Sequence, residues 1–465
     1  MTPAVQTRTA PVAVYRWQPP ASAVLGAPGT ATLLPSGERL TGLSGAQGAA
    51  LRALGTGPIR FDQPPPEPVA ALLDRLLTAG LVTVSVGDAG RETAEYTLRP
   101  FRSAPSPRAA AESGVLSKFT VLHRVGDELI AENPRAWCDV ALTGPRAIGL
   151  VTGLTGPESD APGDDDGFAA QLWSDLRWAG HAVAPGDDED ADLATAAWRP
   201  HELWFHRRST VGDRGSSWTA FGPTRWADGR FEPLPARPEP YPGEPVPLPV
   251  PDLEALRTGD RPLTEVVEDR VSTRTFDEAH PMTAAQLGEL LFRCARTRST
   301  RVTDAARPVP EELPSRPYPS GGSLYELEVY PVIRHVDGIA AGMYHYDTVD
   351  HVLRPVAAYD DAAVTRLIAP AALTLADGRV PQVLLVLAAR TGRLMWTYEE
   401  MPYAVILKHV GVLTQTLYLT ATAMGLGGVA QGYGDTAAFA AATGRDELAE
   451  CNVGSFVVGS LPASP

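Results

Sequence analysis

The chain of 465 residues contains only three cysteines, Cys138, Cys294 and Cys451, which are odd in number and far apart. So few thiols exclude a disulfide framework and suit a reducing compartment. Their spacing also lacks the paired arrangement of a structural zinc site. We therefore expect the chain to fold without covalent cross-links or a zinc cluster.

Positive charge is also scarce, because 40 Lys plus Arg face 55 Asp plus Glu, for a net charge of −15. Proteins that bind nucleic acids or anionic membranes neutralise phosphates with an excess of cations. We therefore expect no nucleic-acid partner and a small molecule or a peptide as substrate. The acidic runs at residues 164–166 and 187–192 lack the glycine-containing spacing of a calcium loop, which predicts solvated loops.

Long uninterrupted apolar runs are missing as well. The first thirty residues contain Arg8, Arg16 and scattered prolines, where a signal peptide would have a continuous apolar core. The most apolar stretch, residues 404–424, is interrupted by Lys408, His409 and several polar residues, which favours a buried helix in a soluble domain. We expect a cytoplasmic protein with no membrane partner.

Proline is abundant in one segment, where nine of the nineteen residues from 233 to 251 are proline. This composition favours an extended conformation. Since 465 residues exceed what one hydrophobic core usually supports, we predict a linker at residues 233–252. It would join an N-terminal half to a C-terminal domain at residues 253–465.

The N-terminal half has a pattern that recurs. Predicted helices at residues 44–54 and 67–79 and a predicted strand at 81–85 indicate a winged-helix-like module over residues 1–110. A similar order indicates a second module over residues 111–232. The helices that would read DNA carry few basic residues, so we predict peptide recognition, by addition of the peptide to an exposed strand edge. The fold class predicted for the whole chain is α+β.

The segment at residues 316–330 (RPYPSGGSLYELEVY) runs from a bare loop into an alternating strand pattern. Gly321 and Gly322 permit positive φ and close approach of main-chain N–H groups to a ligand. An ordinary turn before a strand explains the same glycines. The segment therefore predicts either a turn or a contact with a flat ligand.

A second candidate site consists of Arg270, Ser272 and Arg274, which occupy alternate positions. In an extended chain their side chains share one face, where two guanidinium groups and a hydroxyl can clamp a phosphate. A solvated turn balanced by neighbouring acidic residues is the alternative.

Aromatic residues are concentrated at residues 390–403, between a predicted apolar strand at 380–389 and the long helix after residue 404. Such a cluster can flank a planar cofactor or simply pack the start of the helix. The helix is predicted to end at Gly425, Leu426 and Gly427, where glycine caps it and exposes main-chain amides.

In this order, the motifs resemble those of the FMN-dependent nitroreductase superfamily across residues 255–465, and more narrowly the SagB/ThcOx-type azoline dehydrogenases. The matching strings are residues 316–330, 342–347 and 398–419, with weaker matches at 116–119 and 198–209. The resemblance implies a nitroreductase-like domain that binds FMN. Family members are typically homodimers with each flavin at the subunit interface.

The resemblance also implies roles for individual residues. Arg270, Ser272 and Arg274 would hold the FMN phosphate and ribityl chain. The loop residues Pro319, Ser320, Gly321 and Gly322 would contact the isoalloxazine ring of the chain's own flavin or of the partner's. The residues of the turn after the long helix, Gly425, Leu426 and Gly427, would lie near the same pocket.

For the reaction, the resemblance implies oxidation of thiazoline or oxazoline rings in a ribosomally made peptide to thiazole or oxazole. Many such enzymes have adjacent Lys and Tyr, whereas this chain has Thr397 and Tyr398. A threonine hydroxyl does not titrate near neutral pH and cannot replace the amine. Tyr398 and Lys408 are the candidate catalytic residues, with His409 and His345 as further titratable groups.

Two other functions stay open because of Thr397. The chain is then an FMN oxidoreductase of the same fold with a different peptide or carrier-bound substrate, or a non-catalytic peptide-binding scaffold. For the azoline dehydrogenase, the expected partners are a precursor peptide and a cyclodehydratase complex.

Overall fold

The computed structural model describes residues 11–87, 93–153, 167–212, 221–303 and 310–462. The chain divides into two units, Met1–Ser216 and Ser217–Pro465. Both contain helices and antiparallel sheets, as the predicted α+β class requires.

The N-terminal unit is built on a seven-stranded sheet in the order β5-β1-β6-β7-β11-β10-β9. Its strands are β1 (Val12–Trp17), β5 (Ile59–Phe61), β6 (Val82–Gly87), β7 (Tyr96–Pro100), β9 (Val121–Val125), β10 (Glu128–Glu132) and β11 (Cys138–Leu142). Two small sheets accompany it, formed by β2 (Ser22–Leu25), β3 (Thr30–Leu34) and β4 (Arg39–Thr41), and by β8 (Val115–Leu116) and β12 (Ala182–Val183).

Helices of this unit begin where the sequence indicates. Ser44 and Gln47 form a reciprocal capping box at the start of the first helix, which confirms the helix predicted from residue 44. The helices are α1 (Gly45–Thr56), α2 (Glu67–Thr78), α3 (Pro145–Thr152), α4 (Phe168–Ala179), α5 (Leu193–Ala196) and α6 (Pro200–Arg208).

The two predicted modules of this unit share one sheet, because β7 of the first half pairs with β11 of the second. Their apolar side chains form one core that includes Leu73, Leu98, Val140 and Leu176. The winged-helix description of each half stays a prediction. Of the two acidic runs, residues 164–166 lie outside the described residues.

The C-terminal unit has a second seven-stranded antiparallel sheet, in the order β13-β18-β17-β16-β19-β21-β20. Its strands are β13 (Val246–Pro247), β16 (Leu327–Ile333), β17 (Gly342–Asp347), β18 (Val352–Ala358), β19 (Val383–Arg390), β20 (Leu426–Gln431) and β21 (Glu450–Ser460). A hairpin of β14 (Ser299–Val302) and β15 (Glu312–Ser315) stands apart from this sheet.

Helices cover both faces of this sheet. They are α7 (Leu253–Gly259), α8 (Leu263–Asp269), α9 (Ala284–Ala295), α10 (Ala362–Ile368), α11 (Thr391–Met395), α12 (Pro402–Ala423) and α13 (Thr436–Thr443), with 3₁₀ turns at Gly321–Ser323 and Ala369–Thr374.

Strand β19 is covered on both faces of the sheet, since all eight of its residues are buried. Leu385 and Leu387 belong to the core beneath α9 and α12. Leu384 and Val386 belong to the core beneath α10 and α13 on the opposite face. The apolar strand and long helix predicted at residues 380–389 and 404–424 are thus confirmed as β19 and α12.

The proline-rich segment lies along the C-terminal unit. Buried arginines donate to its carbonyl groups: Arg390 Nη2 to Pro235 O at 2.9 Å, and Arg393 Nη1 to Leu234 O at 2.5 Å. Burial lowers the pKa of Arg393 to about 10. The carbonyls of a segment poor in N–H groups are in this way paired with side-chain donors.

Within the described ranges, no helix combines the length and the apolar character needed to cross a bilayer.

Candidate functional site

The segment with Arg270, Ser272 and Arg274 follows α8 and lies against the end of α12. Thr273 N–H donates to Gly428 O at 2.9 Å, which ties the segment to β20. Ser272 Oγ lies 3.0 Å from Tyr418 Oη on α12. The Arg270 guanidinium carbon lies 5.2 Å from the centre of the Tyr418 ring, a cation–π contact.

Both guanidinium groups of this segment are available to an anion. Arg270 is partly exposed and Arg274 is exposed. Among the residues that the structure describes, neither forms an ion pair with a carboxylate. Two unpaired guanidiniums beside a hydroxyl suit a phosphate, and Asp269 is already paired with Arg261. The alternative of a turn neutralised by its acidic neighbours is therefore less favoured.

The glycine turn after α12 lets this segment approach closely. Gly425 caps the helix with φ +69°. A Cβ added at Gly427 would lie 2.7 Å from Thr273 Cγ2, a contact that real side chains do not make. Leu426 is buried. These residues thus support the Arg270–Arg274 segment from beneath.

The loop at residues 320–325 has a strained backbone. Gly322, Ser323 and Tyr325 have φ values of +62°, +60° and +48°, and two of these residues are not glycine. Tyr325 is held in this conformation by burial against the Tyr318 ring, with centroids 5.3 Å apart. Left-handed non-glycine residues cost about 1–3 kcal/mol each and cluster at functional sites. A simple turn would not need this conformation.

The loop is tied to α12 by a buried histidine. Gly321 N–H donates to His409 Nε2 at 2.8 Å, and His409 Nδ1–H donates to Glu326 Oε1 at 2.7 Å. Both side chains are buried, Glu326 completely. On the same loop, Tyr325 N–H donates to Ser320 Oγ at 3.0 Å, and Pro319 is exposed.

Of the two candidate catalytic residues, Tyr398 lies beside this loop. A Cβ added at Gly322 would lie 3.5 Å from Tyr398 Oη. Burial raises the pKa of Tyr398 above its ordinary value, which is opposite to what a phenolate base requires. The preceding Thr397 is buried, and its hydroxyl lies 3.5 Å from Glu311 Oε1.

Lys408 is exposed on α12, one residue before His409. One residue corresponds to about 100° of rotation around a helix. Val405 and His409 contact the Gly321 loop, so Lys408 points away from it. The structure therefore brings Tyr398 to the loop and leaves Lys408 on the outer face of α12.

Sequence reasoning missed a buried charged cluster on the other face of the sheet. Glu328 Oε2 lies 3.1 Å from His345 Nε2, and Glu328 Oε1 lies 3.4 Å from Arg316 Nη2. Burial acts to raise the pKa of Glu328, but Arg316 and His345 bring it below its ordinary value. Glu328 in the otherwise apolar strand β16, and His345 in the neighbouring β17, were the signal in the sequence. His345 has no contact with the Gly321 loop in this arrangement.

No group of three His, Cys, Asp or Glu side chains is arranged to hold a metal ion anywhere in the described part of the chain. Residues 187–192, the acidic run that the structure does describe, form loop turns and the N-cap of α5.

Comparison with protein families gives two matches along the chain. Residues 267–460 match the nitroreductase family, and residues 114–214 match the cyanobactin oxidase ThcOx model. The chain is 30% identical over 183 residues to a nitroreductase-type protein of Methanocaldococcus jannaschii, which covers 39% of this chain and 82% of the relative.

Two solved structures are similar over about half of the chain. A nitroreductase-type protein of Ralstonia eutropha has 24% identity and a TM-score of 0.37, and covers 50% of this chain and 96% of its own. The E. coli microcin synthetase McbBCD complex, with truncated pro-microcin B17 bound, has 19% identity and a TM-score of 0.34 over 57% of this chain and 92% of that one.

The family assignment rests on the sequence matches, because the relative from M. jannaschii is covered over most of its length. The nitroreductase match includes the Arg270–Arg274 segment, the strained loop and α12. The ThcOx match lies upstream of it, in the N-terminal unit. The chain is an oxidoreductase that belongs to the nitroreductase family.

Proposed function

We propose that the protein is an FMN-dependent dehydrogenase that oxidises thiazoline and oxazoline rings in a ribosomally made peptide to thiazole and oxazole. The observation that carries this proposal is the presence on α12 of two sites that suit different ends of a flavin nucleotide. The Arg270 guanidinium and the Ser272 hydroxyl contact Tyr418, and Arg274 Nη1 donates to Ser272 O. The strained loop of Gly321 and Gly322 lies at His409.

FMN fits the residues that are present. Its phosphate needs cationic donors, which Arg270 and Arg274 supply, and a hydroxyl donor, which Ser272 supplies. Its planar ring needs a bare backbone surface, which the exposed, side-chain-free Gly322 supplies. When bound, FMN would accept the two electrons of ring oxidation as a hydride, and the proton lost with it would pass to solvent.

The chain's own residues would orient the substrate ring. The Gly321–Gly322 backbone forms a surface without side chains, so a flat ring can approach it closely. Tyr398 Oη lies beside that surface and, with a raised pKa, is a protonated phenol at neutral pH. We assign Tyr398 the role of hydrogen-bond donor to the substrate. Holding two reactants in this way makes their reaction effectively unimolecular.

We further propose a homodimer in which the two sites of one flavin come from different chains. His409 and Tyr418 are nine residues apart on α12, which is two and a half turns and about 14 Å along the axis. Their side chains therefore point to opposite sides of the helix. The outer face of α12 is free in the described chain and exposes Leu407, Lys408 and Gly411. A second copy packed there would bring its loop to this chain's Arg270 and Arg274.

The N-terminal unit is the proposed surface for the peptide. Its sheet ends at β5 and β9, whose outer main-chain groups have no further strand beside them among the described residues. An extended peptide can add to such an edge through backbone hydrogen bonds. A cyclodehydratase would make the azoline rings before this chain oxidises them, and we propose that the two proteins work as a complex.

A different substrate is the second candidate, because Thr397 does not titrate and burial raises the pKa of Tyr398. In the described structure, the only lysine of this region, Lys408, points away from the loop. An FMN oxidoreductase that acts on another peptide or carrier-bound group, without a side-chain base at this position, agrees with the same geometry.

The two candidates are separated by one experiment. The purified protein is expected to be yellow and to release FMN on denaturation. Incubation with an azoline-containing peptide should remove two mass units per ring, measured by mass spectrometry. Bound FMN without any mass loss would favour the second candidate, and a protein that cannot be loaded with FMN would contradict both.

The phosphate assignment is tested in the same preparation. Arg274→Ala removes a charge-assisted contact and should weaken FMN binding by roughly 10- to 100-fold. Arg257→Ala is the matched control, because Arg257 is an exposed arginine on α7 that pairs only locally with Glu254. Equal affinities of the two variants for FMN would remove Arg274 from the site.

A further inference from the structure

In the loop that is proposed to contact the flavin, only some of the main-chain N–H groups are hydrogen-bonded within the protein. Of the six N–H groups from Ser320 to Tyr325, four donate within the protein: those of Gly321, Ser323, Leu324 and Tyr325. Among the described residues, the N–H groups of Ser320 and Gly322 have no acceptor. Gly322 is exposed, so its N–H is open to a ligand.

His409 accepts the hydrogen bond of one of these four amides, that of Gly321. It is the only side chain outside the loop that accepts from one of these six amides in the described structure, and it does so through Nε2. Because Gly321 N–H is a donor, Nε2 must be unprotonated and the proton must be on Nδ1. Glu326 Oε1, 2.7 Å from Nδ1, accepts that proton's hydrogen bond and fixes this tautomer.

Placing Glu326 at this position lowers the stability of the fold. It is completely buried, and its second oxygen, Oε2, has no hydrogen-bond partner among the described residues. A half-satisfied buried carboxylate destabilises a fold, whereas an apolar residue at the same place would not. Residues that break a local rule in this way are found at functional sites.

We propose that Glu326 and His409 form a positioning pair for the flavin-ring loop. By binding Gly321 N–H, the pair holds the strained turn so that the amides of Ser320 and Gly322 face outward. Neither side chain touches the reacting atoms. This inference rests on the proposed FMN site and adds to it the two residues that shape its ring-contacting half.

The pair is tested with variants of the full-length protein. His409→Leu removes the acceptor for Gly321 N–H at similar volume. His409→Gln restores an acceptor, because the Gln Oε1 atom can occupy the position of His Nε2. We expect FMN binding to be roughly 3- to 10-fold weaker in His409→Leu and nearly restored in His409→Gln, measured by flavin fluorescence. The absorbance band of bound FMN should shift in His409→Leu and return in His409→Gln.

Two further variants keep the test interpretable. His409→Leu leaves the Glu326 carboxylate unpaired, so the double variant Glu326→Gln/His409→Leu is measured as well. It should lose as much FMN affinity as His409→Leu does, and its melting temperature should be higher than that of His409→Leu. His345→Leu is the matched control, since His345 is also buried against a glutamate but contacts Glu328 on the opposite face of the sheet. It should lower the melting temperature without changing FMN affinity or its spectrum.

The outcomes separate this inference from the proposed function. If the wild-type protein binds FMN and His409→Leu binds it with the same affinity and spectrum, the positioning pair is wrong while the proposed function stands. If His409→Gln behaves like His409→Leu in a folded protein, His409 fills space and does not position the loop. A wild-type protein that takes up no FMN contradicts the proposed function itself.

Discussion

Single residues decide the chemistry, and Tyr398 is the most informative of them. It lies beside the Gly321–Gly322 loop, and its neighbour Thr397 is a buried hydroxyl. Burial raises the pKa of Tyr398, and no cation among the described residues lowers it in return. The phenol thus keeps its proton through the neutral range, which the proposed role of hydrogen-bond donor requires.

Replacing Tyr398 with Phe tests that role through the pH dependence of turnover. A phenol whose pKa burial raises above its ordinary value stays neutral between pH 6 and 9. We expect the variant to lower kcat by roughly 10- to 100-fold at every pH in this range, with the pH–rate profile keeping its shape. A wild-type rate that rises tenfold per pH unit towards pH 10, with that slope lost in Tyr398→Phe, would identify a phenolate base instead.

At the scale of elements, α12 and the loop against it were only partly predictable. The apolar run at residues 404–424 predicted α12, and the Gly321–Gly322 pair predicted a bare backbone. The strain at Ser323 and Tyr325 has no sequence signature, because tertiary burial of Tyr325 imposes it. The pairing of Glu326 with His409 was also hidden, since the two residues are 83 positions apart.

The glycine turn after α12 was predicted as a helix cap, but its packing against a distant segment was not predicted. The cap at Gly425 followed from the sequence, but periodicity could not reveal that Gly427 makes room for Thr273. That requirement depends on the register of a segment more than 150 residues away in the chain. Close approach between distant segments is set by packing, which a local pattern does not encode.

Gly427→Ala tests this close approach. The new Cβ would meet Thr273 Cγ2 at 2.7 Å and push the Arg270–Arg274 segment away from β20, so we expect FMN affinity to fall by at least tenfold in a titration. Gly432→Ala is the matched control at the end of the same strand, because a Cβ there meets nothing within 4 Å. Unchanged affinity in folded Gly427→Ala would separate this turn from the phosphate site.

At the scale of the whole molecule, the sequence predicted a linker at residues 233–252, and the structure divides into two units between Ser216 and Ser217. The sequence and structure of a single chain do not show how two copies would pack together. Arg270 and the loop lie on opposite sides of α12, so the sequence order of the motifs does not reveal which of them would meet in the proposed homodimer.

Mixed dimers test the shared site. A chain with Arg270→Ala and Arg274→Ala is combined with a differently tagged chain that carries Gly322→Val. Gly322 has a positive φ, which a β-branched residue does not tolerate. Each variant homodimer should be free of FMN. If each site takes residues from both chains, the purified heterodimer keeps one intact site and binds one FMN per two chains, measured by flavin absorbance.

The opposite result has an equally clear form. A heterodimer that binds no FMN would mean that each flavin is held within one chain. A heterodimer of two unmutated, differently tagged chains is the control and should bind two FMN.

Helix α12 also has a consequence for how sequences of this kind can diverge. The interval from His409 to Tyr418 fixes both an axial distance and a half-turn of rotation. Deleting or inserting one residue within it would turn one site by about 100° relative to the other. Relatives with the same chemistry should therefore vary in the length of the loops around this helix, while the helix between the two sites acquires neither insertions nor deletions.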